Sequence, residues 1–143
     1  MRVAAILKTK GRAVVTSRPD ALVSDVAVKL AAKRIGAIVI VGDGGKVAGI
    51  FSERDLVRIV AEHGHAALER PVSEFMTRDV ITCGEDSTLE EMMGQMTNGK
   101  FRHLPVVSDG ALVGLISIGD VVKYHLADMA LEVTAMKNYL ATG

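Results

Sequence analysis

The pattern of apolar and polar positions along this chain is written twice. Two short β-branched runs, Val14-Val15-Thr16 and Val80-Ile81-Thr82, each end on threonine and lead into polar residues that reach Asp20 or Asp86. A helical stripe follows. Leu22, Val26 and Leu30, with Val23 and Ala27 beside them, recur at the spacing of a half-buried helix, and Leu89, Met92, Met93 and Met96 repeat the pattern. Ser17 or Asp20, and Asp86 or Ser87, are residue types that cap helix N-termini, and Gly36 and Gly99 stand where the helices are expected to stop. Strands are then predicted at Ile38-Val39-Ile40-Val41 and Leu104-Pro105-Val106-Val107. The turns Gly42-Asp43-Gly44-Gly45 and Ser108-Asp109-Gly110 lead to return strands over 46–51 and 111–116.

A second helix opens at Ser52 in one copy and Ser117 in the other. Thr16 to Thr82 and Asp20 to Asp86 are offset by 66 positions, and Ser52 to Ser117 and Asp55 to Asp120 by 65, because the first turn is one residue longer. Each unit reads β-α-β-β-α, with a short lead-in, Val3-Ala4-Ala5-Ile6-Leu7 or Val72-Ser73-Glu74-Phe75-Met76. The fold class is α+β: repeat one over 3–62, a linker over 63–71, repeat two over 72–127, and a helical extension over 128–143. Neither half buries much core alone, so the two are expected to pack about a pseudo-twofold axis. Leading into the extension and along it, Val122, Leu126, Met129, Val133, Met136 and Leu140 are spaced 4, 3, 4, 3 and 4 residues apart, an a/d-type stripe that packs either on its own domain or on a second subunit. A homodimer is the expectation.

Charge and composition narrow the function. Lys+Arg and Asp+Glu balance at 17 each, which leaves no basic field for nucleic acid or an anionic membrane. Aromatics are only 3% and Trp is absent, against a stacking platform for single strands. No stretch has the apolar length of a membrane span or a signal peptide, and one cysteine, Cys83, allows no internal disulfide, so a cytoplasmic protein is expected. His63-Gly64-His65 has no companion ligands at metal spacing, and His103 has no nucleophile placed with it, so neither a metal site nor catalysis is expected.

The candidate chemistry lies in Gly49-Ile50-Phe51-Ser52-Glu53-Arg54-Asp55 and Gly114-Leu115-Ile116-Ser117-Ile118-Gly119-Asp120. In each, glycine permits close approach of a neighbour or ligand. Serine caps the helix, whose remaining N–H groups attract an anion such as phosphate. Aspartate three residues on can accept two hydrogen bonds from a vicinal diol, as ribose presents. The same Ser-x-x-Asp is also a plain capping box, which needs no ligand.

Together with Phe101-Arg102-His103-Leu104-Pro105-Val106-Val107, the doubled motif resembles a tandem pair of cystathionine β-synthase (CBS) domains, a Bateman module, over about Val3 to Lys123. The resemblance implies a non-catalytic regulatory module that binds an adenine nucleotide (AMP, ADP, ATP or NAD(H), with S-adenosylmethionine behind) in clefts between the repeats. It carries Thr16, Ser52 and Asp55 over to one cleft and Thr82, Ser117 and Asp120 to the other. It also draws Ala37, Ile38 and Pro105 on the flanking strands into the nucleotide-binding set. Arg102 and His103 are expected near phosphate in one cleft, and Arg54 stands where the second copy has Gly119. With the chain ending at Gly143, the regulated effector is expected to be a separate protein. The rival readings are an enzyme acting on bound nucleotide, and a structural dimer whose aspartates only cap helices.

Overall fold

The stripes fold as helices and the β-branched runs as strands in the computed structural model, which describes residues 1–142. The order is α1 (Val3–Lys10), β1 (Thr16–Ser17), α2 (Val23–Lys33), β2 (Ala37–Val41), β3 (Val47–Ser52), α3 (Glu53–His63), α4 (Leu89–Gly99), β4 (His103–Ser108), β5 (Ala111–Ser117) and α5 (Ile118–Thr142). β1 pairs parallel with β2, and β2 antiparallel with β3; β4 pairs antiparallel with β5. Both hairpins carry a register shift at the same place, Ile40/Val41 and Val106/Val107. Their turns use left-handed residues: Gly44 and Gly45 in the first, Asp109 and Gly110 in the second. The α+β double repeat expected from the sequence is therefore present.

Three local expectations are corrected. Residues 80–82 form no strand; Cys83 alone makes a parallel bridge to Val106. The cause is Pro105. Its carbonyl accepts from Cys83 N–H at 3.0 Å, so the edge that would carry the next rung faces a residue with no N–H to donate. The residue before α2 is Leu22, which offers no side-chain cap, and Val23 N–H is taken instead by the Arg70 carbonyl at 3.0 Å. The cap of α4 is Thr88, accepting from Glu91 N–H at 3.2 Å, while Ser87 Oγ accepts from Gly84 N–H in the preceding turn. The helices do stop close to Gly36 and Gly99, α2 at Lys33 and α4 at Gly99, and the left-handed residues that follow them are Arg34 and Lys100. Gly99 ends α4 for a packing reason: a Cβ there would lie 2.0 Å from the Phe101 ring.

Two cores form, and each contains the other repeat's lead-in. Val3, Ile6 and Leu7 of α1 are buried with Leu89, Met92, Leu104, Val106 and Ile116. Val72 and Met76, together with Ala67, are buried with Val23, Val26, Ile38, Ile40 and Phe51. The backbone exchange is equivalent in the two halves. Val3 N–H donates to the Ser87 carbonyl (2.9 Å) and Leu89 N–H to that of Met1 (2.9 Å). Val72 N–H likewise donates to the Ala21 carbonyl (2.8 Å), and Val23 N–H to that of Arg70. The lead-ins cross the strands at the motif glycines. A Cβ on Gly114 would lie 2.7 Å from a Leu7 methyl, and one on Gly49 would lie 2.6 Å from Met76 Sδ. Glycine at these positions is therefore fixed by chain crossing rather than by a ligand.

Candidate functional site

Both Ser-x-x-Asp segments sit where a strand runs directly into a helix, β3 into α3 and β5 into α5. In the first, Ser52 Oγ accepts from Asp55 N–H (3.1 Å) and Asp55 Oδ2 accepts from Ser52 N–H (2.9 Å), closing a capping box. The second repeats it with Ser117 and Asp120 at 2.9 and 3.1 Å. The two aspartates differ in what else they hold. Asp55 keeps only an i,i+3 ion pair from Oδ1 to Arg58 at 3.4 Å. Asp120 Oδ2 additionally accepts from Ser117 Oγ at 3.0 Å and from Lys10 Nζ at 2.5 Å, and the same ammonium donates to the Leu115 carbonyl at 2.7 Å.

Burial would raise the Asp120 pKa, but the Lys10 hydrogen bond, the Ser117 N–H and the Lys10 charge together hold it below 3.8. A depressed carboxylate stabilises the fold above its unfolded pKa and loses that contribution as pH falls through the folded value. Lys10→Met is therefore expected to cost about 0.5–1 kcal/mol at pH 7, the range of a part-exposed pair. The gap to the parent chain should close stepwise below pH 3.8. Denaturant midpoints across that range check it; a gap that does not change with pH would assign Lys10 to packing alone.

A cleft of about 440 Å³ opens between the two repeats. From the first repeat it is lined by Gly36, Ala37, Ile50, Ser52, Glu53, Arg54, Asp55 and Arg58, and from the second by Thr77, Lys100, Phe101, Arg102 and His103. Lys100, Arg102, Arg54 and Arg58 outnumber Glu53 and Asp55, so the cleft suits an anion. His103 reaches across to Gly36 and Glu53 from the start of β4. Burial first, then the charge of Lys10, lowers its pKa against the opposing pull of Asp120. His103 is therefore neutral at pH 7 and can donate or accept a hydrogen bond rather than add charge.

Of the residues singled out from sequence, the cleft gathers Ala37, Ser52, Arg54, Asp55, Arg102 and His103. Thr16 instead lines a separate hollow of about 890 Å³ with Arg12, Arg18, Lys29 and the first hairpin turn. Ile38 and Pro105 are buried in their strands, Thr82 is half-buried, and Ser117 and Asp120 lie at the head of α5 with Lys10. The other seven lining residues, Gly36, Ile50, Glu53, Arg58, Thr77, Lys100 and Phe101, were not among the binding residues expected. Thr77 follows the lead-in methionine, so the crossing that covers Gly49 also delivers it to the cleft. Cys83 is buried and its thiol is pushed up to about 11, which keeps it protonated. His63 packs its ring on Phe75 at 5.4 Å.

This double repeat with its inter-repeat cleft defines a class. The profile of the CBS domain matches residues 7–62 and 72–127, and the chain belongs to that family. The CBS-domain containing protein ATU1752 from Agrobacterium tumefaciens superposes with a TM-score of 0.83 at 48% identity, over 87% of this chain and 99% of that one. The CBS domain pair of MJ0100, in complex with 5′-methylthioadenosine and S-adenosyl-L-methionine, gives a TM-score of 0.79 at 25% identity over 90% and 98%. PAE2072 from Pyrobaculum aerophilum, complexed with AMP, gives 0.75 at 28% over 84% and 89%. Among the described residues no helix is long and apolar enough to cross a membrane.

Proposed function

We propose that this chain is a non-catalytic regulatory module of the cytoplasm. It binds an adenine nucleotide, AMP, ADP, ATP or NAD(H), in the cleft between its repeats, and works as a homodimer on a separate effector protein. The observation that carries the reading is the composition of the cleft: a diol-accepting carboxylate, Asp55, and a helix N-terminus on one repeat face Lys100, Arg102 and His103 of the other. Asp55 receives the ribose, and the basic residues receive phosphate. A ligand held this way touches both repeats, so it favours the relative orientation in which both contacts form. The effector reads that shift, whose size is limited by the ligand's differential affinity for the two arrangements.

The AMP complex of PAE2072 supports an adenosine ligand, and the MJ0100 complex raises S-adenosylmethionine as the second reading. Charge separates the two. S-adenosylmethionine brings a sulfonium cation into a cleft that already carries an excess of cations, whereas a phosphate is attracted to it. The test is thermal unfolding of ligand-free protein against AMP, ADP, ATP, NAD, NADH and S-adenosylmethionine. A nucleotide at 100 times its Kd adds about 2.7 kcal/mol, roughly 10 °C or less for a chain of this size. A response to S-adenosylmethionine alone would replace the nucleotide with the sulfonium ligand. No response to any of them would leave the aspartates as helix caps.

A further inference from the structure

The family profile ends at residue 127, but α5 continues to Thr142 and every residue after Asp128 is exposed. Met129, Val133, Met136 and Leu140 of this extension lie exposed on one stripe, and none of the described residues covers them. The stripe begins earlier, at Val122 and Leu126, which are also exposed. Its 4, 3, 4, 3, 4 spacing assigns Leu126, Val133 and Leu140 to a positions and Val122, Met129 and Met136 to d positions.

The flanking charges choose the partner and its direction. On this register Glu132 falls at g and Lys123 and Lys137 at e. In a parallel pair of identical helices, a g residue meets the e residue five positions later on the other helix. Glu132 then faces Lys137 of the second copy, twice by symmetry. The antiparallel pairing that aligns all six apolar layers instead sets Glu132 beside Glu132, and Lys123 beside Lys137. Like charges there are unfavourable. We propose that α5 pairs with α5 of a second copy of this chain as a parallel, in-register coiled coil. The two cleft-bearing bodies are then held side by side at its N-terminal end. The proposal supplies the interface of the homodimer proposed above and rests on that part of the reading, but it is independent of the nucleotide.

Disulfide trapping tests it on the full chain. Met136→Cys, at a d position, is expected to give an intermolecular disulfide on mild oxidation, and Leu131→Cys, on the outer face, is not. The native Cys83 is buried and does not compete. Sedimentation equilibrium supplies the second readout. Glu132→Lys and Lys137→Glu should each weaken the dimer by about fivefold, and the two together should restore it. A monomer, a dimer that Met136→Cys fails to trap, trapping equal at Leu131→Cys, or single variants that change nothing would each overturn the proposal.

Discussion

Asp55→Ala is expected to remove half or more of the nucleotide stabilisation while lowering the stability of the ligand-free protein only modestly. The carboxylate has two separable jobs. Through Oδ2 it closes the capping box on Ser52 N–H, worth about 1 kcal/mol to the fold. Its remaining acceptor capacity faces the cleft, where hydrogen bonds from a ribose diol to a charged group contribute about 1.5–3 kcal/mol. Losing that lowers affinity by roughly 10- to 100-fold, which at a concentration near 100 times the parent Kd cuts the stabilisation from about 2.7 kcal/mol to about 0.4–1.4 kcal/mol. Ser52→Ala is the control. It breaks the same capping box and should cost a similar amount in the apo protein, but it leaves the carboxylate in place, so most of the ligand shift survives. Equal retention of the shift in both variants would show that Asp55 only caps. Asp120→Ala should subtract less from ligand binding, because Lys10 already occupies Asp120 Oδ2 and a diol must displace it. Differential scanning fluorimetry with and without ligand, followed by titration calorimetry on the responsive variants, separates these outcomes.

What could be read from the sequence, and what could not, follows from where the information sits. The α2 and α4 stripes, the β2–β3 and β4–β5 hairpins and the two capping boxes are local patterns, fixed by spacing and turn chemistry, and they fold where periodicity placed them. Half of the cleft was legible for the same reason, since Ser52 and Asp55 belong to one motif. The other half depends on contacts between distant segments. Nothing local in Leu7 or Met76 says that each lies in the core of the opposite repeat, so Thr77 was missed although it lines the cleft. The caps failed where a tertiary carbonyl did the work of a side chain, as Arg70 does for Val23. Likewise, Pro105 looks like one residue of an apolar run, and only its pairing with Cys83 shows which edge of β4 lacks a donor. The asymmetry between the two Ser-x-x-Asp segments was visible as Arg54 against Gly119, but its stronger source, Lys10 on Asp120, joins residues far apart in the chain.

Gly49→Ala is expected to be among the most damaging single-methyl additions to the chain. Alanine in a strand would ordinarily gain about 0.5–1 kcal/mol from reduced freedom of the unfolded chain. Here the new Cβ would lie 2.6 Å from Met76 Sδ and 2.8 Å from the Thr77 carbonyl oxygen. The methionine can swing aside at the expense of its own burial, but the carbonyl cannot. Thr77 and Ile50 exchange two backbone hydrogen bonds, Ile50 N–H to the Thr77 carbonyl (3.0 Å) and Thr77 N–H to the Ile50 carbonyl (2.9 Å), and a shift of either segment loosens both. The net cost is about 3 kcal/mol, near the upper end for overpacking, or a fall of roughly 10 °C in Tm. Gly114→Ala is the symmetry-related comparison. The three atoms nearest its Cβ all belong to the Leu7 side chain, the first at 2.7 Å, and the Leu115 carbonyl is satisfied by the flexible Lys10 side chain rather than by a crossing backbone. That variant should cost about half as much. The two also differ in function: Thr77 and Ile50 both line the cleft, so Gly49→Ala should weaken ligand binding at temperatures where the protein is still folded, and Gly114→Ala should not. Urea denaturation of both variants, with titrations well below their midpoints, checks the order. If Gly114→Ala proved the worse of the two, the backbone crossing at Thr77 would not be what demands glycine, and the coupling of fold to cleft through that segment would fail with it.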